Sequence, residues 1–162
     1  MNWLAALFQL WTWASQALVI FLVSTCLFDV IHYQLHRWRF SRFRLLRMFA
    51  SCHQIHHDFL DRQMQVHPEL KHRNFWAHLV PEYVTSLLGT LAFLLVLPWA
   101  VPVVLVAIVQ TILFVERIRE EGVDVNHISM DRLDGRRGTW WVGPNYHAMH
   151  HIHPMGFFSS AS

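Results

Sequence analysis

Apolar residues are arranged along the chain in long blocks. Residues 1–28 contain no charged side chain, and two further apolar blocks without lysine or arginine cover 79–97 and 99–115. A helix that crosses a bilayer needs about 20 predominantly apolar residues. We therefore predict one transmembrane helix at about 13–33 and a transmembrane hairpin in the later blocks. The alternative, one long buried helix, would carry two prolines in its interior.

Charged residues are concentrated beside these blocks. Arginine and aromatic residues interleave over 37–47, directly after the first block, and charges resume at 116–121, after the hairpin. Basic residues near helix ends favour the cytoplasmic side, and a hairpin returns the chain to the side it left. The prediction is a single all-α membrane domain over 1–162, with about three transmembrane helices and a histidine-rich helical cap. The cap would face the cytoplasm, at a bacterial inner membrane or the endoplasmic reticulum.

The composition agrees with a membrane protein: 54% of the residues are hydrophobic, 14% are aromatic and 15% are charged. A net charge of +2 is too small to indicate a nucleic-acid partner. Aromatic residues beside arginine can stack on bases, but after a membrane helix they favour contact with lipid headgroups. Cys26 and Cys52 form no CxxC pair and are interpreted as packing residues in a reducing compartment.

The most specific pattern is formed by histidines. We call three clusters the histidine boxes: an HxxxH at His32 and His36, an HxxHH at His53, His56 and His57, and a second HxxHH at His147, His150 and His151. Residues three and four apart share a helix face, so each box could aim its rings at a common point. With 13 histidines in the chain some pairs arise by chance, but this repeated pattern does not readily do so. Imidazole suits zinc, iron, copper and nickel, which predicts a metal site.

The order of the boxes resembles the fatty acid hydroxylase / sterol desaturase superfamily of membrane di-metal enzymes. Residues 29–37, from Asp29 to Arg37, look like the first box of that family with its leading acid, and 150–154 are similar to its third box. The resemblance covers about 29–154. Members often have a further span before the first box and more chain after the third, so a shortened form or an inactive fragment is an alternative.

The resemblance implies O2-dependent hydroxylation or desaturation of an unactivated C–H bond in a lipid. It implies two iron ions, with zinc as an alternative occupant of the isolated protein, and a catalytic role for Asp29. The implied ligands are His32, His36, His53, His56, His57, His127, His147, His150 and His151. No nucleotide, flavin or iron–sulfur motif is present, so electrons would come from an external donor of the ferredoxin or cytochrome b5 type.

Other polar residues are given supporting roles. Asp29, Asp58 and Asp124 could accept N–H groups of ligating histidines, or could form surface ion pairs of little energetic value. His153 and His67, with Pro68 and Glu69 beside it, could brace the site, while His72 and His78 are interpreted as interfacial. Gly89, Thr90 and Gln110 could line a lipid pocket or serve helix packing.

Two other functional classes remain as alternatives to the enzyme. A histidine-rich membrane protein could bind or transport metal, although no His, Asp, Glu, Lys or Arg lies between Glu82 and Glu116 to line a path through the bilayer. Bis-histidine haem would need only two axial ligands and would leave the other boxes unexplained.

Overall fold

The computed structural model describes residues 2–120 and 144–156. Its helices are α1 Trp3–Trp38, α2 Arg44–Phe59, α3 Lys71–Asn74, α4 Val80–Leu91, α5 Phe93–Val96, α6 Ala100–Arg119 and α7 Pro144–Ile152. A 3-10 turn, Pro68–Leu70, precedes α3, and a π-helical segment, Phe75–Leu79, joins α3 to α4. Within the described ranges, β pairing is limited to one isolated bridge between Leu60 and Val66.

Three helical runs in the described part of the chain are long and apolar enough to cross a membrane: Trp3–Trp38, Pro68–Val96 and Ala100–Arg119. The predicted helical class is therefore confirmed, and the described residues contain three helices that are able to cross a membrane, as predicted. The first helix is longer than predicted. Its 36 residues extend over about 54 Å, against about 30 Å for the hydrocarbon core of a bilayer. This length allows the histidine-bearing end of α1 to continue beyond the apolar layer.

One face of α1 packs against the rest of the protein. Ile20, Ser24, Phe28 and His32 are its buried residues, and their spacing of four places them in one stripe along the helix. The remaining surface is largely apolar and exposed, as shown by Trp11, which is 73% exposed. An apolar outer surface is the surface expected of a helix that faces lipid. The buried stripe leads directly to the first histidine box.

The hairpin reverses at the predicted prolines. Helix α5 ends at Val96 and α6 begins at Ala100, so Pro98 lies in the connection. Pro102 lies in the first turn of α6, where a backbone N–H would have no partner within the helix and its absence costs little. The prediction of a hairpin, rather than one helix with two internal prolines, is confirmed.

The weakly polar residues of the hairpin pack helices together. Thr90 is fully buried. Its hydroxyl lies 3.1 Å from the Ser24 hydroxyl and donates a 3.1 Å hydrogen bond to Gln110 Oε1, which links α4 to α1 and α6. A Cβ at Gly89 would lie 3.4 Å from Leu27 Cδ2, so the helices approach closely there. Of the two interpretations given to these residues, helix packing is the one that the contacts support.

A tight turn follows α2 and prepares the position of α7. The Asp61 carboxylate accepts the backbone N–H groups of Gln63 and Gln65, each at 2.9 Å. Met64 has a positive φ of 57°, which is unusual for a residue with a side chain. That side chain is buried in an apolar cluster formed by Phe59, Leu60, Met64 and Ala148. The cluster offsets the backbone strain and joins this turn to α7.

Candidate metal centre

Eight of the nine implied ligands come together in two groups. The five-histidine group contains His32, His36, His53, His57 and His150, and the three-histidine group contains His56, His147 and His151. Within each group the candidate ligand atoms lie within 4.8 Å of one another. The ninth implied ligand, His127, lies outside the described residues.

Each HxxHH box contributes to both groups. On α2, His53 and His57 are four residues apart and enter the five-histidine group, while His56 turns to the other group. On α7 the arrangement is reversed, because the pair at His147 and His151 enters the three-histidine group and His150 crosses to the first. The expectation of one common point is therefore replaced by two. Each helix therefore contributes one histidine to the group formed mainly by the other helix or its neighbours. The two groups lie side by side, with the His57 and His151 ring centroids 4.6 Å apart.

The spacing of the ring nitrogens fits metal coordination. His53 Nε2 lies 2.9 Å from His36 Nε2 and 3.1 Å from His57 Nε2, and His151 Nε2 lies 3.2 Å from His147 Nε2. Metal–nitrogen bonds of about 2.1 Å separate neighbouring ligand atoms by about 3.0 Å in octahedral and about 3.4 Å in tetrahedral geometry. The observed distances are therefore compatible with nitrogens that bind one ion.

Backbone carbonyls orient two of the α7 ligands. His151 Nδ1 lies 2.8 Å from the Leu60 carbonyl oxygen, and His150 Nδ1 lies 3.1 Å from that of Gly156. When Nδ1–H donates to such a carbonyl, the proton is fixed there and the Nε2 lone pair is left for a metal. The turn after α2 thus positions a histidine that is 91 residues away in the sequence.

Burial keeps the imidazoles of His53 and His57 on α2 neutral. Burial is the main cause that lowers the pKa of both His53 and His57 well below the usual 6.5, and neighbouring histidines lower it further. Neutral imidazole is the form that binds metal, because protonation removes the lone pair. The α2 ligands are therefore held in their binding form at physiological pH.

A cavity of about 440 Å³ reaches both groups. It is lined by His36 and His57 from the five-histidine group and by His151 from the other. Arg39 and Asp58 contribute polar side chains to the same cavity. Small polar molecules could therefore approach either group through this cavity.

The proposed supporting acids lie outside these groups. Asp29 is half-buried on α1, three residues before His32, and belongs to neither group. Asp58 is exposed, and its carboxylate accepts a 3.0 Å hydrogen bond from Gln54 Nε2. Asp124 lies outside the described residues. The catalytic role of Asp29 stays a prediction.

Among the remaining histidines, His78 differs from its interfacial interpretation. It is 9% exposed, its Nδ1 lies 3.4 Å from His53 Nδ1, and its ring stacks on that of His56 at 3.9 Å. His72, on the preceding turn, is exposed and accepts a hydrogen bond from Trp76, as an interfacial residue would. His153 is also exposed. Sequence spacing gave no signal for His78, because a π-helical turn changes the side to which it points.

His67 braces the turn after α2. Its ring nitrogens lie 3.1 Å from Asp61 Oδ2 and 3.2 Å from Glu69 Oε1. These hydrogen bonds to carboxylates raise the pKa of His67 above 6.5. The charged ring stabilises the folded turn. This contribution is complete below the unfolded pKa of about 6.5 and is lost as the pH rises through the raised folded pKa.

We expect NMR of the isotope-labelled protein in detergent micelles to show a His67 titration midpoint above 6.5. Asp61→Asn keeps an oxygen acceptor for the turn and removes the charge, so it should move the midpoint back toward the usual value. Glu69→Gln should produce a change in the same direction. A midpoint at or below 6.5 in the native protein would show that the two carboxylates do not act on this ring.

The described residues thus define a helical protein with three helices capable of spanning a membrane and two buried histidine groups that could hold metal ions. Comparisons with protein-family models, with curated proteins and with solved structures give no match. The resemblance to the fatty acid hydroxylase / sterol desaturase superfamily therefore rests on the histidine boxes alone.

Proposed function

We propose that the protein is a membrane oxidoreductase that uses O2 to hydroxylate or desaturate a lipid at an all-histidine di-iron centre. One observation carries this proposal: two groups of largely buried imidazoles lie side by side. Imidazole ligands suit iron, and a pair of bound ions would supply the redox chemistry that activates O2. A structural zinc site would need only four ligands and no second group.

The position of the groups supports a lipid substrate. His32 is the last buried residue of the α1 stripe, and His78 lies in the helical run Pro68–Val96, so the groups adjoin two apolar helices. The hairpin contains no His, Asp, Glu, Lys or Arg between Glu82 and Glu116, which disfavours a path for metal ions or protons. A substrate that reaches the centre from the apolar side would be a lipid, and the cavity of about 440 Å³ would admit O2 and water from the other side.

The proposed reaction requires an external donor. Hydroxylation inserts one oxygen atom of O2 into the C–H bond and releases the other as water, with two electrons and two protons supplied. Desaturation removes two hydrogens from the lipid, and both oxygen atoms leave as water when the same two electrons and two protons are supplied. Arg42 and Arg44 are exposed between α1 and the body of α2 and offer positive charge to an acidic donor of the ferredoxin or cytochrome b5 type. The cap would then face the cytoplasm.

The function is tested by expressing the chain in cells supplied with ¹⁸O2 and analysing the lipid extract by mass spectrometry. We expect new lipids that carry one ¹⁸O atom if the protein hydroxylates, or that lack two hydrogens if it desaturates. His53→Ala should abolish these products, because it removes a buried member of the five-histidine group. His153→Ala changes an exposed histidine outside both groups and should leave the products unchanged.

Measurements of metal content and O2 consumption on the purified protein separate the enzyme from a metal-handling protein. Purified protein that holds labile metal, consumes no O2 and forms no new lipid would contradict the proposal and favour metal binding or transport. Protein that holds no metal would favour an inactive fragment.

A further inference from the structure

A chain of polar contacts leads from the five-histidine group to α6 through His78. This residue lies in the π-helical segment Phe75–Leu79, where the Val80 N–H bonds to the Phe75 carbonyl, five residues earlier. Pro81 follows at once and has no N–H with which to continue the α-helical pattern. A π-turn holds one residue more than an α-turn and so changes which side chains face a neighbouring helix. In this protein the π-turn contains the buried His78, whose ring contacts His53 on α2.

The contact between His78 and His53 joins their Nδ1 atoms, which are 3.4 Å apart. His53 directs its other nitrogen, Nε2, at His36 and His57 within the five-histidine group. A hydrogen bond between two neutral imidazoles needs one donor and one acceptor. If His53 Nδ1–H donates to His78 Nδ1, the Nε2 lone pair of His53 is available to a metal, and the proton of His78 must lie on Nε2.

Glu82 is placed to accept a hydrogen bond from the Nε2–H group of His78. His78 Nε2 lies 3.3 Å from Glu82 Oε2, and the other oxygen of Glu82 accepts a hydrogen bond from Arg117 on α6. The side chain of Glu82 is 14% exposed. A carboxylate held this way favours the Nε2–H tautomer of His78, since that tautomer alone can donate to it. Arg117 on α6 thus orients Glu82, and Glu82 favours one tautomer of His78. His78 in turn favours one tautomer of His53.

His78 does not have the geometry of a further ligand in the three-histidine group. Its ring is stacked on His56 with an interplanar angle of 15°. The lone pairs of nearly parallel stacked rings point in parallel planes and do not converge on one ion. Through Nδ1, His78 contacts His53, which is a candidate ligand.

We propose that His78, oriented by Glu82, is a positioning residue that fixes His53 with Nε2 directed at the metal of the five-histidine group. The inference rests on the metal-binding part of the proposed function and does not depend on the lipid chemistry. Outer partners of this kind typically change metal affinity by about 10–100-fold when they are removed.

The test measures Co²⁺ binding to the purified, metal-free protein in detergent, by visible absorption and by competition with a chelator. His78→Phe retains an aromatic ring against His56 and removes the hydrogen bonds, so we expect Co²⁺ affinity at the five-histidine group to fall about 10–100-fold. His78→Asn restores an oxygen acceptor for His53 and should recover part of that loss. Glu82→Gln should weaken binding in the same direction by a smaller factor.

The matched control is His72→Phe, an exposed position six residues earlier on the same helical run, which should bind Co²⁺ like the native protein. Thermal unfolding of the metal-free variants separates positioning from folding, because a positioning role lowers affinity while the melting temperature stays near that of the control. A His78→Phe variant that binds Co²⁺ with native affinity would overturn the positioning role of His78 and would leave the proposed metal centre standing. If His78→Phe does not fold, native affinity in Glu82→Gln would overturn it, and a native protein that binds no Co²⁺ would overturn the proposed metal centre as well.

Discussion

Replacing His150 with alanine is expected to reduce the metal content of the purified protein from about two ions per chain to one or fewer. His150 is fully buried and is the only residue of α7 in the five-histidine group. The His150 ring centroid lies 4.6 Å from that of His32 and 4.8 Å from that of His36. Alanine therefore removes a candidate ligand and also the contact between α7 and α1.

The measurement is elemental analysis of protein purified anaerobically in detergent, with iron, zinc and copper counted per chain. His147→Ala probes the three-histidine group in the same way and should also lose metal. His153→Ala is the matched control, because this histidine lies just beyond α7, is exposed and belongs to neither group. Equal metal content in the native protein and in His150→Ala would contradict a five-histidine site.

Apolar blocks were sufficient to predict the helical class and the hairpin. Each block is long enough to span a bilayer, and Pro98 with Pro102 marked the reversal. The helix ends were less predictable. The second helical run begins at Pro68, ahead of the apolar block, because polar residues continue the helix through the 3-10 turn and the π-helical segment. Hydropathy reports the part of a helix that faces lipid and does not report where hydrogen bonding ends.

The candidate ligands could be named from spacing, since residues three and four apart share a helix face. Their division between two groups could not. Whether His56 joins its neighbours or faces away depends on where α7 lies against α2, which is set by the Leu60 carbonyl and the apolar cluster around Met64. His78 was missed for a related reason, since its direction depends on a π-turn that no periodicity in the sequence marks.

The tight turn after α2 has a consequence for the three-histidine group, because it places the Leu60 carbonyl beside His151. Met64 adopts a positive φ, and Asp61 uses one carboxylate oxygen for two backbone N–H groups, so the chain reverses within a few residues. The reversal presents the Leu60 carbonyl to His151. Without the Leu60 carbonyl at this position, the proton of His151 could lie on either ring nitrogen, and the ring would not be held in the three-histidine group.

Removing the metal is expected to lower the melting temperature and to release α7. This helix has nine residues, fewer than an isolated helix needs to be stable in water. Beyond the contacts between histidine rings, α7 is joined to the turn after α2 by Ala148 in the apolar cluster and by His151, which bonds to the Leu60 carbonyl. Metal ions bridging α7 to α1 and α2 would therefore supply much of its attachment.

A ligand that binds only the folded state at about 1,000 times its dissociation constant stabilises that state by about 4 kcal/mol. For a chain of this size, such a contribution corresponds to a melting temperature higher by on the order of 10 °C. Adding a strong chelator to the metal-loaded protein should reverse that gain, and adding back excess metal should restore it. The expected change is larger than that of any single surface substitution, because several ligand contacts are lost together.

Hydrogen exchange locates the effect. After chelation, the amides of 147–152 on α7 should exchange much faster, while those of the buried α1 stripe around Ile20 and Ser24 should keep their protection and serve as an internal reference. The contrast follows from how each element is held: α1 packs on α6 through an apolar cluster with Ile20, Val103 and Val106, which needs no ion. If metal leaves and α7 remains fully protected, then packing alone holds it. The histidines would in that case be pre-arranged around an ion that contributes nothing to the fold.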